Sequence, residues 1–168
     1  MKYKKSIILE KGREKLAKNR NPWIFSGAVK TINGNVEDGD IVAVLAIDGS
    51  FIAWGHYNSK SGIAIRLLEW NVSVMPDTNW LRAKVSDAFN MRRSLITDSN
   101  NIYRLIFSES DMMPGVICDV FGDVAVLAVS TPGFDNWKNE LAEIISQTVK
   151  LNAVYEKSDG DGRKIEGL

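Results

Sequence analysis

The sequence predicts an α+β fold in which a small β-barrel domain, residues 1–72, precedes a small α/β domain, residues 73–168. The barrel is predicted from short β-prone segments that tight turns separate about every ten residues. The second domain is predicted from helical and strand patterns that alternate after residue 73. The 168 residues are 45% hydrophobic and 25% charged, as in ordinary globular proteins, so both domains can build a core.

The first domain begins with a short predicted strand at residues 6–9. A helix of good helix formers follows at 13–18 and ends near Pro22, because the residue before proline disfavours helical geometry. The aromatic stretch 22–29 is β-prone and leads into polar turn residues. Later strands are predicted at 41–47, 51–57 and 63–68, with a hairpin signal at Asp48-Gly49. Strands this short and this closely spaced predict a closed barrel.

The second domain follows a predicted linker at residues 73–77. Thr78 or Asn79 is expected to cap a helix that runs to about Leu95, since apolar residues recur there at helical spacing. Pro132-Gly133 is expected to break the chain before a second helix. The remaining predictions are a strand at 102–107, a hairpin at 116–121 and 124–130, the second helix at 135–150, a strand at 153–156 and a loop-like tail at 157–164.

The charges of the chain are unevenly distributed although they sum to zero. Residues 1–30 carry nine Lys or Arg against two Glu, a net charge of +7, and the rest of the chain carries −7. A basic segment of this kind indicates a surface that binds a polyanion such as RNA. The alternative is a solvated basic helix with no partner, and charge alone leaves both interpretations open.

The candidate RNA-binding residues combine positive charge with aromatic rings. Basic side chains contact phosphates, and aromatic faces stack on unpaired bases. The alternative for the two aromatic residues is that they fill the barrel, which a Pro-Trp-aliphatic-Phe run favours. The candidates are Lys11, Arg13, Lys15, Lys18, Arg20, Trp23 and Phe25.

No catalytic residue is predicted, because no nucleophile stands in a credible pattern with a base. Cys118 sits in an apolar strand, where a small buried thiol is usual, and His56 is expected to be a packed or an edge histidine of a strand. One Cys and one His exclude a disulfide within the chain and a zinc site of four such ligands. The sequence has no P-loop and no dinucleotide-binding glycine pattern, so no cofactor or metal site is predicted in this chain.

An acidic loop at residues 108–115 precedes the predicted hairpin. Its carboxylates, Glu109 and Asp111, lie beside a Pro-Gly turn without an evident partner base. We therefore expect them to orient backbone amides or to pair with Arg104 and Arg163, and not to act in acid–base chemistry.

No membrane association is predicted. The longest apolar runs, such as residues 124–129, are too short to cross a bilayer. The basic start of the chain lacks the long apolar run of a secretory signal. We therefore expect a cytoplasmic protein.

Three groups of sequence strings resemble one known family in order and spacing. They are KGREK at 11–15 with NPWIFSGA at 21–28, YRL at 103–105 with ESDMMPGVICDVFGD at 109–123, and YEKSD at 155–159 with RKIEGL at 163–168. They resemble the N-terminal half of the S-adenosylmethionine-dependent ribosomal RNA large-subunit methyltransferase I family, which forms 5-methylcytosine. The resemblance covers essentially the whole chain.

The resemblance implies a PUA domain followed by a central α/β domain. In the family, a Rossmann-like methyltransferase domain comes last and holds the S-adenosylmethionine site and the cysteine that attacks cytosine. This chain is expected to stop before that domain, so Cys118 inherits no role. The family's PUA signature matches Gly12, Arg13, Trp23, Phe25 and Gly27, which implies RNA contacts around Arg13 and Arg20.

The chain departs from the family pattern at four positions. Asn19 and Asn21 stand where basic residues or His are usual, and Gly160 and Gly162 interrupt the tail after residue 159. The leading hypothesis remains a part that binds ribosomal RNA and is inactive alone. The alternative is an interaction module whose central domain pairs with another polypeptide or forms a homodimer. A stand-alone enzyme is the third and weakest hypothesis.

Overall fold

The chain is described by a computed structural model that covers residues 3–97 and 99–168. Its backbone forms two compact units, Met1–Pro76 with Ile165–Gly167, and Asp77–Lys164 with Leu168. The assignment of 1–72 and 73–168 as domains remains a prediction. In the structure the first unit ends at Pro76, and the later segment Ile165–Gly167 also belongs to it.

The first unit is built on one six-stranded sheet in the order β2-β6-β5-β4-β1-β3. Strand β1 pairs parallel with β4 and antiparallel with β3, and the other pairs are antiparallel. Among the described residues no pairing joins the end strands β2 and β3, so the predicted closure of the barrel is incomplete. The strands are β1 Ser6–Leu9, β2 Trp23–Phe25, β3 Val29–Asn33, β4 Ile41–Leu45, β5 Phe51–Tyr57 and β6 Ile63–Glu69.

The sheet curls around an apolar core to which most of its strands contribute. The core also receives Ala17 from helix α1, Glu14–Lys18. Strand β5 lies close to β6, since a Cβ atom at Gly55 would stand 2.7 Å from the carbonyl oxygen of Arg66. The predicted β-prone stretch 22–29 is interrupted by a 3-10 helix at Ser26–Ala28. The largest fully buried side chains of this unit are Ile7, Leu9, Ile65, Leu67 and Leu68.

The second unit is a four-stranded sheet in the order β10-β9-β8-β7, with two long helices packed on it. The β8–β9 hairpin is confirmed, and β10 adds parallel to β9. The elements are α2 Thr78–Arg92, β7 Ile102–Phe107, β8 Val116–Phe121, β9 Val124–Val129, α3 Pro132–Val149, β10 Ala153–Glu156 and the short helix α4 Gly162–Ile165, with 3-10 helices at Arg93–Leu95 and Ser108–Asp111.

The ends of the helices differ from the sequence prediction. The cap of α2 is Asp77, whose carboxylate accepts the backbone N–H of Trp80 at 2.9 Å, and the Thr78 hydroxyl instead donates to Glu140 at 2.6 Å. Helix α3 begins at Pro132. Proline is tolerated there because the N–H groups of a helix's first turn have no partner within the helix. The tail predicted as a loop ends in α4.

Within residues 3–97 and 99–168, no helix is both long enough and apolar enough to cross a membrane.

Candidate nucleic-acid interface

Helix α1 presents nearly all of its surface to solvent. Ala17 is its only buried residue, and Lys15, Leu16 and Lys18 are exposed. Lys11, Arg13 and Arg20, which flank the helix, are exposed as well. The short helix is attached through one small residue, and the five basic candidates all lie on the surface of the first unit.

The charges of these basic side chains are not neutralised by ion pairs. In the part of the chain that the structure describes, Lys11, Arg13, Lys15 and Lys18 form no salt bridge. Hydrogen bonds from Ser50 and, to a smaller extent, the charge of Lys18 lower the pKa of the Asp48 carboxyl. The surface therefore keeps an excess of positive charge that is available to an anionic partner.

Strand β2 places its two aromatic rings outward. Trp23 and Phe25 are 40% and 56% exposed, whereas Ile24 between them is 2% exposed and lies in the core. The interpretation that Trp23 and Phe25 fill the barrel is therefore wrong. Alternation along a strand sends neighbouring residues to opposite faces, and Ile24, paired with the buried Ile65, takes the inner position.

Gly12 and Asn21 shape the turns on either side of α1. Gly12 has a φ of +85°, a left-handed conformation that favours glycine at the entrance to the helix. At the exit, the Asn21 side chain accepts the backbone N–H of Trp23 at 3.0 Å. Asn21 thereby shapes the entry into β2.

Arg20 is held by Trp70, a residue that sequence reasoning did not select. The guanidinium carbon of Arg20 lies 4.9 Å from the centre of the Trp70 ring. The indole N–H of Trp70 donates to the Ala17 carbonyl oxygen at 2.7 Å. Trp70 carries no charge and follows β6, far from the basic segment in sequence, so no local pattern indicated it.

A buried polar cluster, also missed from the sequence, anchors Ile165–Gly167 to the first unit. The Glu166 carboxylate, with a side chain only 8% exposed, accepts two hydrogen bonds from Arg66, at 2.7 and 2.9 Å. It also accepts hydrogen bonds from Asn58 at 2.9 Å and Ser61 at 2.8 Å. The cluster is fully paired, which indicates a structural role.

The two residues rejected as catalytic groups are buried, as predicted. Cys118 is fully buried, and burial followed by the charge of Asp119 raises its pKa to about 12, so the reactive thiolate is disfavoured. His56 is 5% exposed, and burial followed by the charge of Arg66 lowers its pKa to about 3. Both groups are therefore uncharged at neutral pH.

The acidic loop has a structural role: Asp111 holds a backbone amide, as predicted, but its ion-pair partner is Arg92 and not Arg104 or Arg163. Asp111 accepts two hydrogen bonds from Arg92, at 2.8 and 2.9 Å, and the backbone N–H of Phe107 at 2.6 Å. The expected partners are engaged elsewhere, because Arg104 pairs with Asp119 and Arg163 pairs with Asp135. In the described ranges, no three His, Cys, Asp or Glu side chains are placed to hold a metal ion.

Comparison with known sequences places the basic surface in a recognised domain. Residues 7–70 match the PUA-like domain family. The ribosomal RNA large subunit methyltransferase I of Shewanella amazonensis is 34% identical over 163 residues, and that of Erwinia tasmaniensis is 33% identical over 163 residues. Each alignment covers 96% of this chain but 41% of the relative, so the chain spans about two fifths of the length of these curated relatives.

Two solved structures share the fold of the chain. One, from Streptococcus mutans and described as a SAM-dependent methyltransferase, has a TM-score of 0.77 at 16% identity. The other, described as a methyltransferase complexed with SAH, has a TM-score of 0.78 at 16% identity. Each covers 91% of this chain and 40% of the solved one. The chain therefore contains a PUA-like domain and, over nearly its whole length, resembles the N-terminal part of the ribosomal RNA large subunit methyltransferase I family.

Proposed function

We propose that this chain is the RNA-binding N-terminal portion of an S-adenosylmethionine-dependent rRNA (cytosine-C5) methyltransferase. Its PUA-like domain docks on structured large-subunit rRNA and positions it for a methyltransferase domain. S-adenosylmethionine belongs to that domain, and no residue of this chain is assigned to it. In keeping with a ribosomal RNA partner, we place the protein in the cytoplasm.

The observation that carries this proposal is the exposed, unneutralised surface around α1. Lys11, Arg13, Lys15 and Lys18 present charges without ion-pair partners in the described residues, and the rings of Trp23 and Phe25 face outward next to them in sequence. Positive groups that contact phosphates and rings that stack on unpaired bases both serve to recognise the single-stranded loops of a folded RNA.

The proposal is tested by titrating labelled fragments of large-subunit rRNA at several salt concentrations. Each phosphate contact contributes roughly 0.7 to 0.9 to the slope of log affinity against log salt concentration. Arg13→Ala combined with Arg20→Ala is expected to weaken binding and to reduce this slope by roughly 1.4 to 1.8. If the double variant binds with the slope of the parent, the docking site is wrong.

A control removes two exposed charges from the second unit. Lys150 and Lys164 lie on the surface there, and their replacement by Ala changes the net charge by the same amount. This pair is expected to leave the salt slope nearly unchanged. If both double variants lost the same amount of RNA affinity and salt slope, net charge would govern binding, and not the basic residues around helix α1.

One feature of the second unit favours a second candidate function, self-association. The sheet face opposite α2 and α3 carries the Arg104–Asp119 ion pair among mostly apolar residues in the described part of the chain, and Lys157 pairs with Asp159 at its edge. A two-fold arrangement could place Arg104 of one copy beside Asp119 of the other, which would let this face pair with itself. Its apolar members are Ile102, Phe107, Ile117, Phe121, Val124, Val126, Ala128, Ala153 and Tyr155.

Sedimentation equilibrium separates the two candidates. Two results together would support an interaction module or homodimer in place of the RNA function. The parent chain would form a dimer that Phe121→Ser weakens, and it would show no affinity for RNA. A chain that stays monomeric at high micromolar concentration excludes self-association through this face.

A further inference from the structure

We infer that Trp70 is a positioning residue that holds Arg20 ready to bind an RNA phosphate, an inference that rests on the proposed function. Arg20 is exposed, and within the described residues it forms no salt bridge. It contacts the Trp70 ring and the backbone at the end of α1. Those contacts decide where the guanidinium points.

The backbone of Arg20 has a conformation that needs support. Its φ is +67°, in the left-handed region that residues with a Cβ atom rarely adopt. The Arg20 N–H donates to the Ala17 carbonyl oxygen at 3.1 Å, and the Asn21 N–H donates to that of Leu16 at 3.0 Å. On the far side of the loop, the Pro22 carbonyl accepts the N–H of Leu67 at 2.7 Å. The loop is thus tied to the protein at both ends.

Trp70 supports Arg20 through two separate contacts. Its indole N–H donates to the Ala17 carbonyl oxygen, the same atom that accepts the Arg20 N–H. Its ring lies under the Arg20 guanidinium at 4.9 Å. Trp70 itself packs against the core of the first unit, so it is a rigid support. One side chain thereby positions both the backbone and the charged group of Arg20.

A guanidinium held over a ring by a cation–π contact keeps its N–H groups free to donate hydrogen bonds. These groups form a planar fork that matches the two oxygens of a phosphodiester. Because the side chain is already ordered, less conformational entropy is lost when RNA binds. The cation–π contact also leaves the charge of Arg20 intact, whereas a salt bridge would neutralise it.

The inference is tested by a double-mutant cycle on RNA affinity at fixed salt, with Arg20→Ala, Trp70→Leu and the combination. Arg20→Ala is expected to weaken binding by roughly tenfold, as for a charge-assisted hydrogen bond. Trp70→Leu alone is expected to weaken it by roughly two- to fivefold, the size of a cation–π contact. In the Arg20→Ala background, Trp70→Leu is expected to have no further effect. Trp70→Phe, which keeps a ring under the guanidinium but loses the indole N–H bond to Ala17, is expected to bind more tightly than Trp70→Leu and less tightly than the parent.

A purely structural role of Trp70 would give a different result. Additive losses in the cycle, or no loss in Trp70→Leu, would overturn the positioning role while leaving the RNA function in place. If Arg20→Ala binds like the parent, the Arg20 contact and this inference are both wrong. If the parent chain does not bind rRNA fragments at all, the proposed function itself fails.

A measurement on the parent protein covers the case in which Trp70→Leu fails to fold. The ring current of Trp70 should shift the side-chain protons of Arg20 upfield in the NMR spectrum. Trp70→Phe should reduce that shift. Unshifted Arg20 resonances in the folded parent would show that the guanidinium does not rest on the ring, which overturns the inference.

Discussion

Arg66 and Glu166 form a buried, two-pronged ion pair across a separation of 100 positions in the chain, with N–O distances of 2.7 and 2.9 Å. Both side chains are largely shielded from solvent, at 11% and 8% exposure. Asn58 and Ser61 donate to the same carboxylate. The interaction therefore joins strand β6 to Ile165–Gly167 through groups that would be costly to leave unpaired.

We expect Glu166→Ala to lower the free energy of unfolding by about 3 kcal/mol, because it leaves the Arg66 charge buried without its partner. Urea denaturation of the whole chain measures this change. The control is Lys164→Ala, which removes an exposed ion pair with Asp161 and should change stability by less than about 0.5 kcal/mol. Equal effects of the two substitutions would contradict a structural role for the cluster.

Because His56 is buried in its neutral form, we expect the free energy of unfolding to fall in mild acid. The pKa of His56 is lowered from 6.5 to about 3 by burial and by the charge of Arg66, so protons bind the unfolded chain more tightly. The contribution of the neutral, buried His56 to the free energy of unfolding is complete above pH 6.5 and decreases as the pH falls toward 3. Between pH 6 and 5, above the usual carboxyl range, stability should fall with a slope approaching about 1.4 kcal/mol per pH unit. His56→Gln should flatten this slope, and an unchanged slope in that variant would assign the loss to other groups.

The end of helix α3 offers a stabilising substitution. Lys150 is exposed and has a φ of +65°, and the N–H groups of Lys150 and Leu151 both bond to the Ser146 carbonyl. Glycine adopts this conformation without the Cβ penalty, so Lys150→Gly should raise the unfolding free energy by about 0.5–1 kcal/mol. Thermal unfolding tests this expectation. Glu143→Gly, at an exposed position within the helix, serves as the opposite control and should destabilise by about 1 kcal/mol.

The outward rings of β2 should contribute to RNA affinity without contributing to its salt dependence. Trp23→Ala together with Phe25→Ala is expected to weaken binding by about 1–3 kcal/mol per stacked base. The salt slope should stay that of the parent, because no phosphate contact is removed. The control is Tyr155→Ala, an exposed ring in the second unit. Unchanged affinity in the double variant would show that the rings do not stack on RNA.

Local patterns predicted the elements of both units well. The β8–β9 hairpin follows from strand alternation around Gly122-Asp123, and β1, β5 and α1 appear where the sequence indicated them. The fold class is confirmed as a barrel-like β unit with a separate α/β unit. These features depend on neighbours within a few residues, which periodicity and turn chemistry describe directly.

Features that depend on distant partners were not predictable. Thr78 has a side chain that can cap α2, but in the folded chain its hydroxyl donates to Glu140, 62 positions away. The contact of Trp70 with Ala17 spans 53 positions. Only the folded chain shows that Asp111 pairs with Arg92 and not with Arg104 or Arg163. The basic side chains of the candidate site were visible in the sequence, whereas the residue that orients Arg20 was not.

The return of Ile165–Gly167 makes the first unit discontinuous in the sequence. A fragment that ends at residue 72 or 76 would carry every strand of the six-stranded sheet but would lack the carboxylate that satisfies Arg66, Asn58 and Ser61. Cutting the chain at this boundary would thus leave Arg66 without its carboxylate partner, at the place where Glu166 packs in the intact chain. An autonomous version of this unit would need the final turn grafted back, for example by circular permutation that joins residues 165–167 to a terminus of the β unit.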